Sequence, residues 1–155
     1  MRILVAEDEL INQKVIAALL RKLGCEVTIA ADGKQAVDAF ATQDFDLVFM
    51  DIQMPEVDGF EATRLIRKKE QRTGRRVPIV ACTAHAINGY RDLCFAAGMD
   101  GYMTKPIDRQ ELMETVAYFS SVGLPPAESL EQSLFPATNP DFSSLVERKM
   151  ETSRE

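Results

Sequence analysis

The chain has 155 residues, 46% of them hydrophobic, which gives one domain with a sizeable core and an appended tail but leaves no room for a second full domain. Its formal net charge of −6 argues against nucleic acid or an anionic membrane surface as the main partner, since both demand a basic footprint, and favours contacts with other proteins. Cys25, Cys82 and Cys94, odd in number and without C-x-x-C spacing, argue against a disulfide framework or a zinc site and read as small core residues of a reducing, cytoplasmic setting.

The opening run Met1-Arg-Ile-Leu-Val5 lacks the long apolar core of a signal peptide, and no later stretch is long enough to span a bilayer, so no membrane contact is expected within this segment. Strand-like and helix-like periods then alternate five times, the pattern of a parallel sheet with helices on both faces. A strand over Arg2–Ala6 precedes a helix in which Ile11, Val15, Ile16, Leu19, Leu20 and Leu23 recur at helical spacing, closed by Gly24. A second strand, Glu26–Ala30, is followed by Asp32-Gly33 and a helix over Lys34–Ala41. The third strand, Asp46–Met50, leads through a loop, Ile52–Gly59, into a helix from Phe60 to about Glu70, with Lys and Arg toward its end where the helix dipole favours cations. Gln71–Arg76 reads as a polar, basic surface loop. A strand over Val77–Cys82, a helix over Asn88–Ala97 stopped by Gly98, a strand over Gly101–Thr104 and a helix from about Arg109 to Phe119, with Leu112, Met113, Val116 and Phe119 as its apolar stripe, complete the alternation. From Ser120 the composition shifts to Ser, Pro, Glu and Thr, and Pro125, Pro126, Pro136 and Pro140 break any long helix. The folded domain is therefore placed at residues 1–121. A flexible Pro/Ser/Glu-rich tail or linker is expected over 122–155, its last part able to form a short charged helix over Asp141–Glu155.

Four marks stand at the ends of strand-like runs: Glu7-Asp8, Asp51, Thr83 and Lys105-Pro106. Ligands of open α/β sheets bind beyond the carboxyl ends of the strands, so these marks converge on one pocket. Three acids, a hydroxyl and a lysine then share a small space. The carboxylates would repel one another without a partner, which implies a hard cation held by oxygens, with Mg²⁺ the natural fit, and a phosphoryl group completing its shell. Asp51, at the end of the central strand, is the candidate nucleophile, and an aspartyl phosphate is a known covalent species. Lys105 is a point charge for phosphate oxygens, aimed by the turn at Pro106 in either its cis or its trans form. Thr83 offers a hydroxyl to a phosphoryl oxygen, and Ala84 is small enough to let the group approach. Taken singly, an acidic pair is more often a solvated turn and a strand-end threonine is ordinary; their order along the chain is what carries the reading.

Residues 6–9 (Ala-Glu-Asp-Glu), 48–55 (Val-Phe-Met-Asp-Ile-Gln-Met-Pro), Asp58-Gly59, residues 82–84 (Cys-Thr-Ala), residues 97–102 (Ala-Gly-Met-Asp-Gly-Tyr) and Lys105-Pro106 fall in the order seen in one family. Over about Met1–Ser121 the chain resembles the receiver domains of two-component response regulators. Residues 9–15 and 83–86 are most similar to the receivers of hybrid sensor histidine kinases. The resemblance implies an α/β, doubly wound, five-stranded parallel sheet of the flavodoxin-like (βα)5 type with strand order 2-1-3-4-5. It implies that Asp51 accepts a phosphoryl group from a phosphohistidine on a histidine kinase or a histidine phosphotransfer protein. Asp8, Asp51 and the backbone carbonyl of Gln53 would bind Mg²⁺ directly and Glu7 through water, while Lys105 and Thr83 would hold phosphoryl oxygens. Glu7 stands where a second Asp is usual, with a longer arm and the same charge. Thr83 moving toward the phosphoryl group and Tyr102 rotating inward behind it would switch the surface of the fourth helix, fifth strand and fifth helix. His85, the single histidine, is either a neighbour of the attacking water in dephosphorylation or an exposed loop residue.

No basic recognition helix or enzymatic motif follows Ser120, so the output is a protein contact or an onward phosphorelay step, with the chain a monomer or weak dimer. The start at Met1 suits a stand-alone regulator, and a segment of a longer hybrid kinase would look the same. Two other readings exist: a receiver-like scaffold that works without phosphate, and a phosphohydrolase of the haloacid dehalogenase type. The latter needs a second Asp two residues after the nucleophile, where Gln53 stands, and so lacks its general acid.

Overall fold

The computed structural model describes residues 1–84 and 89–122. The chain order is β1 (Arg2–Ala6), α1 (Leu10–Lys22), β2 (Glu26–Ala30), α2 (Gly33–Thr42), β3 (Leu47–Asp51), α3 (Gly59–Thr73), β4 (Ile79–Thr83), α4 (Tyr90–Ala96), β5 (Gly101–Thr104) and α5 (Arg109–Val122). The five strands form one sheet in the order β2-β1-β3-β4-β5, every neighbouring pair parallel. This is the expected doubly wound fold. Strand-to-strand crossovers are right-handed, so the step from β1 outward to β2 and the steps from β2 across to β5 put α1 on one face and α2, α3 and α4 on the other. Both faces are thus covered, and β3 and β4 are buried at every residue, as their unbroken apolar runs require.

Side-chain caps set three of the helix starts, with Asp108 accepting the Glu111 amide at 2.9 Å to open α5. Asp32 accepts from the Gln35 amide at 2.7 Å and opens α2, and Asp58 accepts from the Glu61 amide at 2.8 Å and opens α3. Gly59 begins α3 hard against β3: a Cβ there would collide with the backbone carbonyl of Asp51. The residue after Asp58 must therefore lack a side chain for the loop beyond β3 to close. The three cysteines are free and buried, and among the described residues no helix is long and apolar enough to cross a membrane.

Several expected boundaries move. Asp51 and Thr83 are the last residues of β3 and β4 rather than the first residues beyond them, and β4 starts at Ile79 because Val77-Pro78 lies outside the ladder. The basic loop expected at Gln71–Arg76 is shorter, since α3 runs on to Thr73 and stops at Gly74 in the left-handed conformation. The reason is tertiary. Glu70 is buried, taking the Val77 amide at 2.6 Å and the Arg67 guanidinium, and this ties the last turn of α3 to the start of β4. Arg67 also reaches Gly98 O at 2.9 Å, Val77 O at 2.7 Å and Asp100 at 2.6 Å, and Arg76 joins Asp100 at 2.6 Å, so one ionic cluster closes the sheet at the amino end of β4 and β5. In α1 the expected apolar stripe is only half used. Ile16, Ala17 and Leu20 are buried, but Leu10, Ile11 and Val15 are 60%, 69% and 47% exposed. α4 begins at Tyr90, and Asn88, its expected first residue, lies outside the described residues, as do residues 123–155 of the expected tail; α5 runs past the expected end near Phe119 to Val122, the first residue assigned to that tail.

Candidate functional site

Strand register brings the site together. Ala6 pairs with Met50, Asp51 with Cys82, and Thr83 with Thr104, so Glu7, Asp51, Thr83 and Lys105 leave the carboxyl edge of four adjacent strands within two residues of one level. β1 and β3 are also where the chain reverses its direction of winding, the crevice in which open α/β sheets take ligands.

At this edge Lys105 bridges two buried acids. Its Nζ lies 2.7 Å from Glu7 Oε2 and 3.0 Å from Asp51 Oδ2, while Glu7 and Asp51 are 1% and 4% exposed. The other oxygen of Glu7 accepts the Glu9 amide at 3.1 Å, and Gln13 caps the Glu7 carbonyl at 2.7 Å. The longer arm of Glu7 is thereby held inward by backbone on one side and by the ammonium on the other. Asp51 Oδ1 accepts the Gln53 amide at 3.3 Å. Carboxylate oxygens of Glu7, Asp8 and Asp51 all lie within 4.8 Å of one another, with Asp8 on the solvent side. Three acids against one lysine leave negative charge in excess, and the donor set is oxygen throughout, which suits a hard divalent cation.

The electrostatics follow. Burial, then the charge of Glu7, raises the Asp51 carboxyl from 3.8 to about 7 although Lys105 pulls it down. Burial of the Lys105 ammonium works against its charge, but hydrogen bonds to Glu7 and Asp51 outweigh that and leave its pKa above the ordinary value. Burial also pushes the neighbouring Cys82 thiol far up, so no thiolate competes with Asp51 as nucleophile.

Thr83 is buried at the end of β4, and its carbonyl accepts the Lys105 amide at 2.8 Å. Ala84 and Pro106 are exposed, and the Lys105–Pro106 peptide is cis. Tyr102 is 1% exposed: its ring already sits inward, with the phenol raised to about 12 by burial. His85 lies outside the described residues. An open cleft of about 520 Å³ is lined by Asp8, Ile52, Gln53, Met54, Pro55, Asp58, Phe60 and Tyr90. Phe60 and Tyr90 lie outside the sequence-based set. Phe60 carries a signal in following Asp58-Gly59; Tyr90 carries none, seven residues past Thr83 and outside any motif. A groove of about 400 Å³ between the far ends of α2 and α3 contains none of the expected site residues.

Residues 3–117 match the family model of the response regulator receiver domain. Among curated proteins, hybrid signal transduction histidine kinase I of Dictyostelium discoideum is 45% identical over 120 residues, covering 74% of this chain and 7% of the kinase. Histidine kinase 1 of Arabidopsis thaliana is 37% identical over 148 residues, covering 74% of this chain and 12% of that protein. The chain thus spans about a tenth of such relatives. Among solved structures, the receiver domain of the sensor histidine kinase PA1611 from Pseudomonas aeruginosa, which holds a magnesium ion in its active-site cleft, is 47% identical with a TM-score of 0.69 over 76% of this chain and 95% of that one. The Saccharomyces cerevisiae receiver domain of Ssk1, solved with the histidine phosphotransfer protein Ypd1, is 31% identical with a TM-score of 0.73 over 77% of this chain and 88% of that one. Matching fold, matching motifs and an acidic strand-end cluster coincide over the same residues: the chain belongs to the response regulator receiver domain family of two-component signalling.

Proposed function

We propose that Asp51 accepts a phosphoryl group from a phosphohistidine on a histidine kinase or a histidine phosphotransfer protein, within a domain spanning residues 1–121. The observation that carries this is the Asp51 carboxylate at the carboxyl end of β3, held 3.0 Å from Lys105 in a cluster with Glu7 and Asp8. One carboxylate oxygen of Asp51 attacks phosphorus, a P–O bond forms, the P–N bond to the imidazole breaks, and the departing ring nitrogen keeps the electron pair. Lys105 moves its contact from the carboxylates to a phosphoryl oxygen, and the Thr83 hydroxyl donates to another. Glu7, Asp8, Asp51 and the backbone carbonyl of Gln53 would hold Mg²⁺. When bound, the ion neutralises carboxylate and phosphoryl charge, the main requirement of phosphoryl transfer.

The donor has a landing place. Leu10, Ile11 and Val15 form an exposed apolar face on the first turns of α1, immediately after Glu7 to Glu9. A surface of this kind beside the acceptor suits a partner helix that carries the phosphohistidine. The readout is a shift of the α4-β5-α5 surface through Thr83 and Tyr102, and the kinase relatives favour a place within a hybrid kinase or phosphorelay.

Incubation with acetyl phosphate and Mg²⁺ tests the assignment by intact mass. One added phosphoryl group, absent without Mg²⁺ and absent in Asp51→Asn, is the expected result. A wild-type chain that takes up no phosphoryl mass and turns over no donor is instead a phosphate-independent scaffold.

A further inference from the structure

α4 is seven residues long, and its two ends are held differently. At its carboxyl end the chain is fixed by the buried ionic cluster, where Arg67 grips Gly98 O and Asp100, and Met99 returns its amide to Cys94 O at 3.1 Å. At its amino end Gly89 takes the left-handed conformation and supplies no side-chain cap. There the half-buried Tyr90 reaches across the cleft. Its ring lies 6.0 Å from that of Phe60, at the start of α3, with the planes at 59°. Its hydroxyl meets the Thr83 side chain in a hydrogen bond, and Asp51 and Asp58 are near enough to act on its charge. Tyr90 is also among the groups that act on the buried Tyr102 phenol. It therefore meets Thr83 and lies within electrostatic range of Tyr102 while lining the cleft that holds Asp8 and Gln53.

We propose that Tyr90 is a latch, which holds the first turn of α4 against the cleft through the Phe60 ring and the Thr83 hydroxyl and opens when a phosphoryl group on Asp51 draws Thr83 away. The proposal rests on the phospho-acceptor reading of Asp51. Thr83 has one hydroxyl, and in the unphosphorylated chain it is paired with the Tyr90 hydroxyl, so carrying it toward a phosphoryl oxygen carries it away from Tyr90. Turning it to a phosphoryl oxygen breaks that bond, and because the Arg67 cluster keeps the far end of α4 in place, the movement is a pivot of the first turn. Tyr90 is thus a positioning residue that sets how strongly phosphorylation and the α4 surface are coupled.

Tyr90→Phe keeps the ring on Phe60 and deletes the hydroxyl. A single hydrogen bond is worth roughly a factor of five in an equilibrium. At a subsaturating level of acetyl phosphate with Mg²⁺, the ratio of phosphorylated to free chain should rise about fivefold over wild type, and it should not change when Tyr90→Phe is made in a Thr83→Val background. In the unphosphorylated chain, amide hydrogen exchange over residues 90–93 should quicken in Tyr90→Phe while that of residues 99–104 stays as in wild type. Equal phosphorylation ratios in Tyr90→Phe and wild type overturn the latch, as does a full effect in the Thr83→Val background. A wild-type chain that accepts no phosphoryl group overturns the acceptor reading instead, and the latch is then judged on exchange alone, where unchanged protection of residues 90–93 rejects it.

Discussion

A carboxylate buried at the end of a central strand favours its protonated form unless cations offset the desolvation, and Asp51 has one lysine to share with Glu7. Its folded-state pKa of about 7 lies above the ordinary 3.8. A group raised in this direction stabilises the fold fully below pH 4, and its contribution is lost as the pH rises through 7. The metal-free chain should therefore lose stability between about pH 4 and pH 8 on this account, and Asp51→Asn, neutral and of the same size, should be spared. Thermal unfolding in a chelator at pH 8 is expected to show Asp51→Asn melting above wild type, with the gap closing toward pH 5. Adding Mg²⁺ at pH 8 should raise wild type and leave the variant nearly unmoved. A variant that melts below wild type at pH 8 without metal would mean that Lys105 already balances the site.

At the scale of elements, the Arg67 cluster is a buried tie between parts distant in sequence, joining α3, the start of β4 and the turn into β5. Breaking a buried ion pair from one side leaves an uncompensated charge and costs about 3–5 kcal/mol. Arg67→Met should cost in that range by urea unfolding at pH 7, since Glu70 and Asp100 stay buried with the Val77 and Ile79 amides and, of the cluster's two guanidinium groups, Arg76 alone. Burial already holds Glu70 above the usual carboxylate range, and Arg67 is what pulls it back down. Without Arg67 the folded pKa of Glu70 climbs further, so the deficit should shrink as the pH is lowered toward 5 and the carboxyl takes a proton. A deficit independent of pH would place the cost on the lost Gly98 and Val77 contacts instead. This tie also shows where local sequence stops being informative. Polar, basic residues 71–76 read as a loop, yet α3 continues to Thr73 because Glu70 reaches the Val77 amide beyond the helix end, a tertiary contact that the local pattern does not encode. In α1 the periodicity correctly marks an apolar face. The stripe is wider than the face the sheet covers, and the rotation of the helix about its axis decides which part is buried: Ile16, Ala17 and Leu20 face the sheet, while Val15, next to Ile16, and Ile11 turn to solvent.

The whole molecule obeys a rule that the sequence carries openly: continuous apolar runs become strands covered on both faces, and residues just past them meet at one edge. Glu7, Asp51, Thr83 and Lys105 are legible for that reason, because parallel register lines up the ends of β1, β3, β4 and β5 without any further information. Tyr90 is not legible, since its place beside Thr83 depends on how α4 lies on the sheet. The exposed α1 face adjoins the same edge, and this separates chemistry from delivery. On the proposed reading, a small phosphodonor needs only the Asp51 cluster, whereas a protein donor must also lose water from Leu10, Ile11 and Val15 to bring its phosphohistidine into line. Replacing Ile11 and Val15 by Ser should leave stability within about 0.5 kcal/mol, because both are exposed already. Labelling by acetyl phosphate should be equal to wild type, and transfer from a phosphorylated histidine phosphotransfer protein should slow by tenfold or more, since each buried aliphatic side chain is worth about 1.5–3 kcal/mol at an interface. Equal transfer from both donors would move the docking surface off α1, while slowing with both would mean that the substitutions had disturbed Glu7 and Asp8 rather than a partner contact.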